Sequence, residues 1–221
     1  MIKQFRHELV EPAPLTNVDT SEGRYYIFTD GRSNDRFRSV TGLLGERMDK
    51  SALEAWKKRV GDEEVHKVST IAASRGTAVH NMAERYLLND PDYEKGVMPF
   101  PRATFRQIRK VLYDHVDDIM GIEIPLYSRA FMCAGRTDLV ARFDGVPSII
   151  DFKTSKRIKE EKDIESYFLQ TTIYSMMFQR IYGIEIPQVV IIMAVDDESP
   201  QVFVKDRSLY VKRVIEVFSR E

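Results

Sequence analysis

The chain has 221 residues, enough to bury a substantial core within one domain, and 43% of them are hydrophobic against 30% charged, a balance that excludes wholesale disorder. No apolar run approaches the roughly 18 residues of a membrane span, and Met1–Glu8 lacks the apolar stretch of a secretory signal, so a cytoplasmic setting is expected. A formal charge of -1 leaves any nucleic-acid role to local basic clusters, and the lone Cys133 excludes an internal disulfide and a four-thiolate zinc or iron-sulfur site.

Residues 1–22, with Pro12 and Pro14, read as an extended N-terminal arm on the surface. The β-formers of Arg24–Thr29, the Asp30-Gly31 break and Phe37–Thr41 predict a hairpin-like pair of short strands. A helix is expected from Ser51, with that serine as N-cap and Glu54 completing a capping box. A second helix is expected from about Val68 to Leu88, stopping before Asn89-Asp90-Pro91, and a third over Pro101–Met120 with Arg102, Arg106, Arg109 and Lys110 in its first turns. After Gly121 the period drops to two: Ile122, Ile124 and Leu126 alternate with Glu123, Pro125 and Tyr127, and Thr137–Phe143 and Val146–Thr154 follow as strands. Ile164–Tyr182 returns to a helix, Val189–Val195 and Gln201–Lys205 are closing strands, and an amphipathic helix starts near Ser208. The order predicts a single α/β domain spanning 1–221, a mixed central sheet flanked by helices.

The chemistry is carried by one turn. Asp144-Gly145 is a strong signal for a two-residue type I′ hairpin, because both central positions need positive φ. Counting outward from it pairs 140 with 149, 139 with 150, and Asp138 with Asp151. Alternation puts Asp151, Lys153 and Asp138 on one face, with Ile150 and Phe152 on the other. Directly opposed carboxylates destabilise a sheet unless a cation compensates, and a hard divalent ion such as Mg²⁺ suits such oxygen ligands and a phosphate substrate. The alternative is two solvated strand-end aspartates with Lys153 as a surface counterion. Pro147 cannot donate to a ladder and could shift the pairing.

Taken together, Gly135-Arg136-Thr137-Asp138, the Asp144-Gly145 turn and Ile149-Ile150-Asp151-Phe152-Lys153-Thr154 resemble the PD-(D/E)XK nucleases, particularly the RecB-like exonuclease branch. Upstream, Ser74-Arg75-Gly76-Thr77-Ala78-Val79-His80 is similar to the branch's histidine helix. Downstream, Gln170-Thr171-Thr172-Ile173-Tyr174 is similar to its Gln-x-x-x-Tyr signature. Thr137 stands where the superfamily's name has proline, as is usual in this branch. Pro91-Asp92 and Glu160-Glu161-Lys162 mimic fragments of the motif without strand context.

The resemblance implies a restriction-endonuclease-like core over about residues 39–195. It implies metal ligation by His80, Asp138, Asp151 and the Phe152 carbonyl, and catalytic roles for Asp138, Asp151, Lys153, Gln170 and Tyr174. Arg75, Arg136, Lys156 and Arg157 are candidates for contact with nucleic acid. Glu84, one turn after His80, is a candidate to orient it; Glu123 could approach the metal from its adjacent strand, with a surface glutamate as the standing expectation. The implied cofactor is Mg²⁺, with Mn²⁺ as a substitute and no iron-sulfur cluster. The implied substrate is DNA with free ends, degraded in replication, recombination or repair in a bacterial or phage-infected cytoplasm, as by the small standalone exonucleases of mitochondria and phages. A structure-specific endonuclease of the same fold and a catalytically silent nucleic-acid-binding module are the alternatives.

Overall fold

The computed structural model describes residues 3–49 and 51–219. Strands β1 (Leu15–Thr20), β2 (Gly23–Phe28) and β3 (Arg36–Ser39) lead into helices α1 (Val40–Arg47), α2 (Ser51–Val60), α3 (Asp62–Leu87) and α4 (Pro99–His115). Then come β4 (Val116–Ser128), β5 (Cys133–Phe143), β6 (Val146–Ser155), α5 (Glu165–Tyr182), β7 (Gln188–Val195), β8 (Gln201–Asp206) and α6 (Ser208–Phe218). The strands form one mixed sheet in the order β1-β2-β3-β5-β6-β7-β8, with β4 laid along β5. No helix among the described residues is long and apolar enough to cross a membrane.

Most expected elements form, and several differ. The strand expected over Phe37–Thr41 ends at Ser39, where α1 begins, and the helix expected from about Val68 begins at Asp62. Part of the expected arm is strand β1, paired with β2 from Leu15↔Phe28 to Thr20↔Gly23. Its exposed, polar residues carry no alternating apolar signal, so only the pairing reveals it. The helix expected to Met120 ends at His115, because Val116 and Ile119 are wanted in the core and Val116 pairs with Phe143. Asp118, with φ 44°, makes the irregularity that lets β4 continue, and residues 6–10 bond to Ile119 and Met120 beside it. Ser51 is not an N-cap but the first residue of α2, where the Asp49 carboxylate accepts from its backbone N–H and its hydroxyl.

Alternation divides the core between two faces. Leu139, Ala141, Phe143, Ile150, Phe152, Val190 and Ile192 pack against α3 and α4. Val140 and Ile149 pack against α1, α5 and α6 on the other face, and Val189, Ile191 and Met193 join Phe168 of α5 there.

The sheet forks in the middle. β4 covers one edge of β5 from Cys133 to Phe143. The other edge is shared: β3 takes Cys133 and Ala134 in parallel, and β6 takes Leu139 to Phe143 antiparallel. Gly135–Asp138 therefore has no strand on that side, and β6 runs on alongside β7 alone.

Candidate active site

The Asp144-Gly145 turn forms with φ 50° and 80°, both positive as a type I′ turn requires. The register follows the count from it, Phe143↔Val146 through Leu139↔Ile150, and Pro147 sits in the ladder opposite Arg142 without shifting it. One step further the ladder stops, at the fork. There the Asp138 side chain takes over as acceptor: its Oδ2 receives the Phe152 N–H at 2.7 Å. A strand that has lost its neighbour's carbonyl has gained a carboxylate, which locks Asp138 against the opening.

Three acidic residues line up across the fork. Ile122↔Leu139 and Ile124↔Thr137 flank the position where Glu123 of β4 faces Asp138, and Asp151 comes just past Ile150, the last residue of β6 paired to β5, close enough for Asp138 to act on its carboxyl. Glu123 adopts φ 48°, in the left-handed region that bulky side chains avoid. It is not the surface glutamate expected from sequence. Instead it makes the approach to the candidate metal ligands that its adjacent strand allowed. The register that brings it there is counted from the Ser128↔Cys133 closure of β4 and β5, not from the β5–β6 turn.

His80 arrives from α3, on the opposite face, and reaches the cluster at the break. Its Nδ1 lies 3.4 Å from Asp138 Oδ1 and 3.7 Å from Glu123 Oε1, and its Nε2 is 3.1 Å from the Phe152 carbonyl. That carbonyl is thus engaged by the imidazole. On the other side, the Lys153 ammonium touches Asp151 Oδ2 and sits 4.9 Å from the centre of the Tyr167 ring. Asp151 is buried, and its Oδ2 makes an ion contact without a directed hydrogen bond.

The electrostatics follow from crowding. Burial pushes the Asp151 carboxyl up, and Asp138 beside it adds to this against the pull of Lys153, leaving it at about 6. Burial also works on Asp138, but His80, Lys153 and the Phe152 N–H outweigh it and hold that carboxyl below its ordinary value. Burial would discharge the His80 imidazole, yet Asp138, Glu123 and Asp151 raise it to about 10. Lys153 is raised despite its burial, by Asp151 and Asp138, and stays charged. A site with this excess of carboxylate holds a proton on His80 through neutral pH and keeps one on Asp151 up to about pH 6.

The donor set fits a divalent metal ion. His80, Glu123 and Asp138 each offer a ligand atom, all within 4.8 Å of one another. The under-bonded Asp151 oxygen lies on the next strand. Carboxylate oxygen with a single imidazole suits a hard or borderline divalent ion and does not suit a thiophilic one.

The remaining sequence candidates separate. Tyr174 is buried, and its hydroxyl abuts Gly135 of β5 so closely that a Cβ there would lie 2.2 Å from the oxygen. Burial raises its phenol well above the ordinary value, against a hydrogen bond from Gln170 on the preceding turn. The pair braces β5 beside Asp138. Arg136 lies 3.8 Å from Glu123, and Glu84 lines the cavity next to His80. Lys156 and Arg157 are exposed just beyond β6. Arg75 is committed elsewhere: it pairs with Asp196 after β7, 2.9 Å from Nη1 to Oδ2, under the ring of Phe100, and only 10% of its side chain is exposed. It fixes α3 to the sheet and is not free for a phosphate.

Residues 101–207 match the family model of the PD-(D/E)XK nuclease superfamily. That stretch carries Glu123, Asp138, Asp151, Lys153, Gln170 and Tyr174, and it begins after His80 and the β1–β3 strands. Among solved structures, the chain is similar to a candidate exonuclease from Eubacterium rectale at 15% identity, covering 87% of this chain and 86% of that one with a TM-score of 0.43. It is also similar to the protein SSO0001 at 15% identity, covering 81% and 85% with a TM-score of 0.32. No curated protein matches the chain.

Proposed function

We infer, from residues 101–207 belonging to the PD-(D/E)XK nuclease superfamily, that the chain is a Mg²⁺-dependent deoxyribonuclease that degrades DNA from its ends. The observation that carries this reading is the meeting of His80, Glu123, Asp138 and Asp151 with a charged Lys153 at the fork of the sheet. His80, Glu123, Asp138 and Asp151 would hold the cation, Mg²⁺ or Mn²⁺. A divalent ion there supplies Lewis-acid polarisation of the phosphate and lowers the pKa of a water.

The protein's own contribution can be assigned group by group. Lys153 keeps its proton, so it acts on negative charge gathering at the phosphate and does not abstract a proton. Asp138, tied to the Phe152 N–H, fixes the position of β6 relative to β5. Gln170 and Tyr174 hold β5 against α5, with Gly135 leaving room for the phenol. Arg136, Lys156 and Arg157 remain accessible for backbone phosphates.

The reading is tested by incubating the protein and Mg²⁺ with end-labelled linear single- and double-stranded DNA beside covalently closed circles, for wild type, Lys153→Ala and Asp151→Asn. Loss of linear DNA alone, abolished by either substitution, is expected. Cutting of the closed circles makes the activity endonucleolytic. Failure of folded wild type to cut anything with Mg²⁺ or Mn²⁺ removes the nuclease assignment.

A further inference from the structure

A cavity of about 480 Å³ opens directly off the His80–Glu123 side of the cluster. It is lined by His80 and Glu123 of the cluster, by Asn17, Arg24 and Tyr26 of the β1–β2 hairpin, and by Arg136 of β5. The hairpin's register explains its share of the lining. Asn17 faces Tyr26 and Asp19 faces Arg24 across the two strands, and these positions are two apart, so all four side chains share one face. Both arginines act on the phenol of Tyr26, whose pKa burial raises and whose ionisation Arg136 and Arg24 favour. Two guanidinium groups therefore line the cavity near the Tyr26 phenol, with Arg136 also 3.8 Å from the Glu123 carboxylate.

We propose that the β1–β2 hairpin supplies an anion subsite, Arg24 with Arg136, that holds a backbone phosphate of the substrate strand next to the bond being cleaved. This rests on the nuclease reading given above and adds to it a binding role for a hairpin outside the matched stretch of the chain. The volume is of the size that takes a nucleotide-sized group. Arg24 is held in place at present by Asp19, 2.8 Å from its Nε, but that aspartate is 67% exposed, and an exposed pair gives way easily to a phosphate that guanidinium can grip through two parallel hydrogen bonds. Arg136 leans on Glu123 at 3.8 Å, so neutralising Glu123 with a cation releases it toward the same phosphate. A cation on Glu123 and the two arginines beside it would together set the strand's register across the fork.

The test is fluorescence anisotropy of a labelled short oligothymidine bound to the full chain, with Ca²⁺ in place of Mg²⁺ to suppress cleavage, over a range of salt concentrations. Loss of one phosphate contact flattens the slope of log affinity against log salt by about 0.7 for a single strand. Arg24→Ala is expected to weaken binding several-fold with that change in slope, and Arg24→Lys to restore most of the slope. Arg180→Ala, on the distant face of α5, is the control for general charge. Circular dichroism confirms folding of each variant. An Arg24→Ala slope equal to wild type overturns the subsite and leaves the nuclease reading intact, whereas wild type that binds no oligonucleotide and cuts no DNA removes the reading itself.

Discussion

The sheet contains two hairpins of the same construction, β1–β2 and β5–β6, each antiparallel and each closed by a two-residue turn. In the first, Asp19 stands opposite Arg24, and both side chains are at least half exposed. In the second, Asp138 and Asp151 lie one step past the last pair, Leu139↔Ile150, and both are buried. Backbone geometry delivers a pair of neighbouring charges in both cases, so burial makes the difference. In water the opposite charges of the first pair are screened and contribute little to stability. In the core the like charges of the second pair cannot both ionise freely, and their carboxyls are pushed apart, Asp151 to about 6 and Asp138 below its ordinary range. A reactive centre arises where a hairpin that would be unremarkable on the surface is placed inside and the sheet is opened beside it.

The buried hairpin should be the sensitive one. Asp138→Asn is expected to lower Mg²⁺-dependent cleavage of labelled DNA by at least the ~10–100-fold that losing a partner of a metal ligand costs, because a carboxylate that would hold the cation itself is removed. The same substitution should move the His80 imidazole down, since Asp138 is its strongest upward influence. An NMR titration in metal-free buffer that finds His80 unchanged would show that the two groups do not interact.

The same crowding makes the metal-free protein pH-sensitive, in a definite direction. Asp151 has a folded-state value of about 6 against an ordinary 3.8, so its protonated form favours folding and that contribution is lost as pH rises from about 4 through 6. His80, at about 10 against an ordinary 6.5, gives stability that is complete below 6.5 and is lost on the way to 10. Asp138 is depressed, so its contribution disappears only below the ordinary carboxylate range. The melting temperature without metal should therefore fall as pH rises from 4 to 6 and again from 7 to 10. Saturating Mg²⁺ should flatten the curve. Because His80 must be neutral to bind a metal, calorimetry in buffers of different ionisation enthalpy should show proton release near pH 7.5. Absence of release would take His80 out of the ligand set.

Packing around the fork gives the next effect. Gly135→Ala places a Cβ 2.2 Å from the Tyr174 oxygen and 2.9 Å from two carbons of that buried ring. Overpacking of this kind costs about 1–3 kcal/mol, read as a lowered denaturation midpoint. If the midpoint stays put, Tyr174 can leave its position, and it does not brace β5.

How much of this could be read in sequence depends on the range of the forces involved. The Asp144-Gly145 turn is local, and counting from it carried the register correctly to Leu139↔Ile150. α5, β7 and β8 likewise follow from nearby periodicity and turn residues. What sequence did not show depends on distant partners. β1 has no apolar alternation, and Val116–Met120 continues a plausible helix until the sheet claims it. Arg75 meets Asp196 across 121 positions of chain. Glu123 needed a third strand to be placed, although its alternation with Ile122 and Ile124 was visible.

The smallest expected change discriminates most sharply between the two hairpins. Asp19→Asn removes the exposed partner of Arg24 and should leave the melting temperature where it is, because a solvated pair at a sheet edge contributes little. If the hairpin served only to extend the sheet, nothing else would change. If Arg24 faces a phosphate, the substitution frees a guanidinium and removes a repelling carboxylate in one step, so oligothymidine should bind several-fold more tightly and most visibly at low salt. Tighter binding with unchanged stability would mean that the exposed hairpin serves the substrate while the buried one serves the chemistry. Unchanged affinity would return β1 and β2 to a purely structural role.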